Sequence, residues 1–184
     1  MNNISVVIGS WGSYNECNER ALGSEWLDLS DYYDWEEIEA ELTKEGFILD
    51  GIDEELFIQD IDGLPSSACN WDYTNPEELF EQLKEADVLD DDTKYETLMA
   101  YLENRTFDEF LELVEQHGDD WDQDIYLYRN YNWDDYGREM FVECGYEQTI
   151  PSHLQDFFDF EAYGEYLGQD LVEEYSEGLI EIRR

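Results

Sequence analysis

The sequence predicts an α+β fold, drawn out as an elongated chain of three small domains (α+β, helical, α+β). Three observations carry this prediction. β-branched and alternating runs lie toward both ends of the chain. The middle stretch has apolar residues only at helical spacing. Gly- and Pro-bearing breaks near Gly63 and Gly118 divide the three. The expected domains are an N-terminal α+β domain over 1–62, a central helical domain over 63–118 and a C-terminal α+β domain over 119–184. Three modest cores in series imply the elongated form.

The elements follow in order. Ile4-Ser5-Val6-Val7-Ile8 reads as a strand, and a Gly- and Asn-rich loop is expected from Gly9 to Gly23. Glu25-Trp26-Leu27-Asp28-Leu29 alternates and predicts a second strand. Trp35, Ile38 and Leu42 recur at helical spacing, with Gly46 as the stop. Leu56-Phe57-Ile58 predicts a third strand, and Gly63-Leu64-Pro65-Ser66-Ser67 a linker. Thr74 and Glu77 have capping-box spacing, with Pro76 in the first turn and Leu79, Phe80 and Leu83 on one face. A second central helix carries Tyr95, Leu98, Met99 and Leu102. A third starts at the capping-box pair Thr106 and Glu109, carries Phe110, Leu111 and Val114, and ends at Gly118. Ile125-Tyr126-Leu127-Tyr128 predicts a strand, Trp133–Cys144 a helix stopped by Gly145, and Gly178–Ile182 a closing strand after shorter helical pieces.

Composition narrows the function. Asp and Glu number 50 against 9 Lys and Arg, a formal net charge of -41. Such a surplus opposes compaction through self-repulsion. Disordered acidic chains are poor in aromatics, whereas aromatic residues make up 16% of this one, and large rings bury enough area to offset the repulsion. The acids run from Glu16 to Glu181 rather than forming a terminal block. Cys17, Cys69 and Cys144 are odd in number and form no CxxC pair, which points to reducing cytoplasm. No leader-like or membrane-spanning apolar run is expected, and a polyanion is repelled by anionic membranes.

Chemistry-bearing motifs are sparse. Asp120, Asp122 and Asp124 mimic the start of an EF-hand loop, but Ile125 and Tyr131 occupy the required Gly and Glu positions. Asp60-Ile61-Asp62 fails likewise at Leu64 and Pro65. With so many acids, a glycosidase-like carboxylate pair has no specificity. His117 and His153 neighbour no Cys or GxSxG elbow, and no phosphate-binding glycine loop is present. Neither an enzyme, a metal site nor a cofactor is expected. Halophilic adaptation is a further account of the acidity, compatible with any function, although dense aromatics are less expected of it.

The acids themselves are patterned. Glu36, Glu37, Glu39 and Glu41 lie on the first predicted helix, and Glu77, Glu78, Glu81 and Glu85 on the second. Asp108, Glu109, Glu112 and Glu115 repeat the run, and Asp119, Asp120, Asp122 and Asp124 follow it. Spacings of three and four put carboxylates on one helix face, a few ångströms apart. A solvated helix face ordinarily alternates sign to gain ion pairs; these runs forgo them. Carboxylates at this spacing stand in for the phosphates of duplex DNA, so a non-catalytic decoy that binds DNA-handling proteins, and not nucleic acid, is expected. An acidic module for basic nucleoid or other DNA-binding proteins is the alternative.

The stretch Ile150–Leu167, IPSHLQDFFDFEAYGEYL, resembles the P-x-x-L-Q…A-Y-G-x-x-L signature of the ArdA antirestriction proteins. Ser24–Leu29 resembles that family's Trp-bearing strand, Tyr14-Asn15-Glu16 its first loop, and Phe57-Ile58-Gln59-Asp60 the strand leaving its first domain. The resemblance implies a three-domain DNA mimic, borne by mobile genetic elements, acting in the cytoplasm of a bacterial host. It implies a type I restriction–modification enzyme as the partner, chiefly the methyltransferase core of modification and specificity subunits. It also implies a homodimer through the last domain, with Asp134, Asp135, Tyr136, Met140 and Phe141 at the contact. Gly137 stands in that helix where many relatives have Ala, and is expected to weaken it.

Overall fold

The computed structural model describes residues 3–183. It is a mixed α+β protein with eight α-helices and two small antiparallel sheets among the described residues. The chain divides into two compact units between Asp122 and Gln123, close to the break expected after Gly118. The first unit holds both the N-terminal sheet and the central helices.

In the first unit the sheet order is β2-β1-β3, formed by β1 (Ser5–Ser10), β2 (Leu27–Asp28) and β3 (Leu56–Asp62). Ser5 pairs with both Asp28 and Asp62. A register shift between Val7 and Ile8 marks a bulge against β3. Ile4, Val6, Ile8, Leu27 and Ile58 fill the core side.

The Gly9–Gly23 stretch is not a loop: it holds the end of β1, helix α1 (Trp11–Glu16) and a 3-10 turn over Glu19–Leu22. The Ser10 hydroxyl accepts the Ser13 N–H as a cap, and Trp11 stacks on Phe57 with ring centroids 4.1 Å apart. The second strand shrinks to two residues because Asp28 turns the chain, accepting the Ser30 N–H and starting a 3-10 turn at Leu29.

Asp53 pins this region from inside. It is fully buried and accepts bonds from the Ser13 hydroxyl, the Ile48 N–H and Arg20 Nε. Burial alone raises its carboxyl, but the bonds from Ser13, Ile48 and Ser10 and the Arg20 charge outweigh it, so the pKa lies below the ordinary value.

Helix α2 (Trp35–Lys44) is capped by Asp34 and buries Trp35, Ile38 and Leu42; Gly46 follows at a φ of 94, as its stop position requires. Helix α3 (Pro76–Glu85) carries Pro at its start, but its cap is Asn75, not Thr74. Asn75 accepts the N–H groups of Glu77 and Glu78, which leaves Thr74 outside the helix. Helices α4 (Asp92–Leu102) and α5 (Phe107–His117) complete the unit, and the Thr106–Glu109 capping box is present in both directions. An aromatic ladder, Trp71–Phe107–Phe110–Trp121, runs through the core at centroid spacings of 5.1, 5.3 and 4.9 Å. The Trp121 indole N–H donates to the Ala86 carbonyl at 3.0 Å, so its one polar atom is satisfied.

The second unit has sheet order β4-β6-β5, from β4 (Ile125–Arg129), β5 (Val172–Tyr175) and β6 (Gly178–Ile182). β5 was not expected from the sequence. Helix α6 (Trp133–Glu143) packs on α8 (Phe160–Gly168), with the short α7 (Ser152–Gln155) between them in sequence. Gly137 is corrected from a weak point to a packing requirement. A Cβ there would lie 1.9 Å from the Phe160 carbonyl oxygen, and one at Gly164 would lie 2.3 Å from the Trp133 carbonyl oxygen. The two helices touch backbone to backbone at these glycines.

Candidate acidic interaction surface

The three acidic helix runs converge on one another within the first unit. Helix α2 packs on α3, where Trp35 lies 6.3 Å from Phe80, and α3 packs on α5. Glu77 reports the first junction. Its carboxyl is pushed above the ordinary range by partial burial and by the charges of Glu81, Glu39 and Glu78. Glu39 belongs to α2, so the α2 and α3 runs lie close enough to repel.

The second junction is a groove of about 520 Å³ between α3 and α5. Gln82 and Glu85 form one wall, and Asp108, Glu112 and Glu115 the other, over a floor of Leu111 and Val114. Along α3, Glu77, Glu81 and Glu85 succeed one another every four residues and are all exposed. That step is about 6 Å, near the roughly 6.8 Å of two base-pair rises along a DNA strand.

Not every acid of the runs has the same standing. Glu36, Glu37, Glu77, Glu78, Asp108 and Glu109 sit in first helical turns, where negative charge is locally favourable. Glu37 accepts the Tyr33 N–H at 2.8 Å, and Glu109 accepts the Thr106 N–H at 2.8 Å, so both are engaged as caps. Glu41 pairs with Lys44 at 2.5 Å, which corrects the expectation that this run lacks Lys partners. Glu81, Glu85, Glu112 and Glu115 lie beyond their helices' first turns.

The bases leave this surface largely alone. Arg20, Lys84, Lys94 and Arg183 pair with Asp53, Asp90, Asp87 and Glu181, none of which belongs to the acidic runs. Asp119, Asp120 and Asp122 lie at the end of the first unit, and Asp124 falls in the second. The Asp119 carbonyl, not its carboxylate, accepts Lys94 Nζ at 2.7 Å.

In the second unit, Tyr136 and Phe141 are buried in the unit's own core. Phe141 packs on Phe158 and Phe160 at 4.9 and 5.2 Å, and Tyr136 packs on Tyr128 at 5.1 Å. A partner meeting α6 would therefore touch its outer residues. Asp134 holds Arg138 at 2.6 Å, Asp135 closes the Asn132 capping box, and Met140 is half-buried. Val142 is 52% exposed beside them.

Sequence reasoning passed over the exposed aromatic residues of the first unit. Trp26, Tyr33 and Tyr73 are 51%, 82% and 81% exposed; their strand-like or helix-flanking settings gave no sign of it. Among the described residues no helix is long and apolar enough to cross a membrane, and no cluster of His, Cys, Asp and Glu is arranged to hold a metal.

No curated protein matches the chain. The family model described as antirestriction protein (ArdA) matches residues 6–181. An acidic, helix-borne surface on an α+β frame, together with a match over nearly the whole length, places this chain in the ArdA antirestriction family.

Proposed function

We propose that this chain is a DNA mimic that inhibits type I restriction–modification enzymes by occupying the DNA-binding groove of their methyltransferase core, made of modification and specificity subunits. The observation that carries the reading is the acidic groove between α3 and α5, continued onto α2 where Glu39 approaches Glu77. Like charges held this close cost stability, so their retention calls for a partner that gains from them.

The mechanism follows from elementary electrostatics. The Lys and Arg residues of a DNA groove are normally met by phosphates, with release of counterions. Fixed carboxylates offer the same attraction and steer association. A folded array carries no DNA-bending cost. Phosphate-like contacts hold no base information, so enzymes of different sequence specificity are inhibited alike. In this reading the chain acts without a cofactor in the cytoplasm of a bacterial host. It dimerises through the outer face of α6. The duplex itself is not a ligand.

The test is a titration against labelled duplex on two purified type I methyltransferases of unrelated target sequence. Displacement from both, at similar protein concentrations and weakening steeply from about 50 to 200 mM salt, is the expected result. Displacement from one alone, or a flat salt response, refutes the mechanism.

A further inference from the structure

The first unit carries a second anionic feature, on the outer face of its sheet and built differently from the helical track. Ser5, Asp60 and Asp62 share a face, since Ser5 is paired with Asp62 and the pleat brings Asp60 to the same side two residues away. Trp26 precedes Leu27, whose side chain is buried on the opposite face, so the indole turns outward. Together with Ile61, these residues line a groove of about 500 Å³. Half the surface of Trp26 is open to solvent. Exposed tryptophan is uncommon on a monomer's surface, and in a concave setting it is a typical anchor of protein interfaces. Asp60 and Asp62 are exposed, and among the described residues no base pairs with either.

An aromatic face flanked by two carboxylates has a definite chemical complement. We propose that this groove binds an arginine side chain of the protein partner, its guanidinium stacked on Trp26 and hydrogen-bonded to Asp60 and Asp62. Guanidinium is planar, weakly hydrated and forked, so it can stack on indole and bind carboxylate at once; the ammonium of lysine, compact and strongly hydrated, gains less from that combination. The surface charge of the chain selects a basic partner. The site gives the partner something a phosphate backbone does not have, an aromatic platform, and it rests on the proposed function for the identity of that partner.

The test has two arms. In the first, the full chain is titrated with a short Gly-Arg-Gly-Arg-Gly peptide and its lysine counterpart. The indole N–H resonance of Trp26 is followed, assigned by its loss in Trp26→Phe. A saturable shift is expected, with the arginine peptide several-fold tighter and both weakened in Asp60→Asn/Asp62→Asn. An unmoved resonance, or equal binding of the two peptides, overturns the site. In the second arm, variants compete with duplex on a type I methyltransferase. Trp26→Ala should weaken competition about 5- to 30-fold with an unchanged salt slope. The double Asn variant should lower that slope by up to about two. Unaltered competition by Trp26→Ala, with wild-type chain active, also overturns the site. If wild-type chain fails to compete at all, the proposed function falls, and the peptide arm still decides the groove. Thermal melts of each variant separate loss of binding from loss of fold.

Discussion

Replacing Glu81 and Glu85 by Gln should make the protein more stable and a poorer competitor. Both residues are exposed on α3, and Gln has nearly the same helix propensity as Glu. Two like-charge pairs at four-residue spacing are removed, Glu77–Glu81 and Glu81–Glu85, each destabilising by about 0.2–0.5 kcal/mol. Glu85 is also the last residue of α3, where negative charge opposes the helix dipole by about 0.3–1 kcal/mol. The change should therefore stabilise by about 0.7–2 kcal/mol at low salt, a rise in Tm of roughly 2–8 °C. The same two carboxylates face the partner in the proposed complex. Exposed charge pairs are worth about 0.2–1 kcal/mol each, so competition with duplex should weaken about twofold to thirtyfold. Calorimetry and a fluorescence competition titration at matched low salt read the two effects. A variant that melts higher yet competes as well as wild type would refute the surface assignment. One that melts lower would refute the repulsion on which the reading rests.

Other changes test the frame that holds this surface. Asp53→Asn should cost about 3 kcal/mol, the lower end for breaking a buried pair, because Arg20 still reaches solvent. The Asp53 carboxyl titrates below its ordinary value of 3.8, so its contribution is complete above that pH and is lost as pH falls through the lower folded value. Denaturant melts of both proteins should thus diverge at neutral pH and converge in strong acid; a constant gap would contradict the assignment. Gly137→Ala should destabilise the second unit by about 1–3 kcal/mol despite its better helix propensity, because the new Cβ meets backbone; an unchanged or higher melting point would show that α6 and α8 can part. Thr106→Ala should cost about 1 kcal/mol by removing the cap of α5, which urea melts would detect as a shift in midpoint, and an unshifted midpoint would deny the cap its role.

What was legible in the sequence follows from how local each signal is. Helices α2 and α5 were readable because apolar spacing and a terminal Gly agree within one short stretch, with a capping box besides in α5, and α6 because Gly145 marks its end. Helix α1 was not, since Gly, Ser and Asn dominate it, and it forms around a Trp11–Phe57 stack formed far along the chain. Strand β5, four residues long, carries two consecutive glutamates and owes its form to pairing with β6. The acids of the candidate surface were visible as runs, but not their meeting. That Glu85 faces Glu112 across a groove depends on helix packing at a distance in sequence. Tyr136 and Phe141 were assigned to a contact face, yet aromatic packing within the second unit buries them.

The central claim is that layout, not bulk charge, is the activity. The direct measurement is displacement of labelled duplex from a type I methyltransferase by the folded protein and by poly-glutamate of matched charge, in the same buffer. A preorganised array avoids the ordering cost that a flexible chain meets on binding, so the folded protein should act at concentrations lower by about 100-fold or more. Equal potency of the two polyanions would contradict the account.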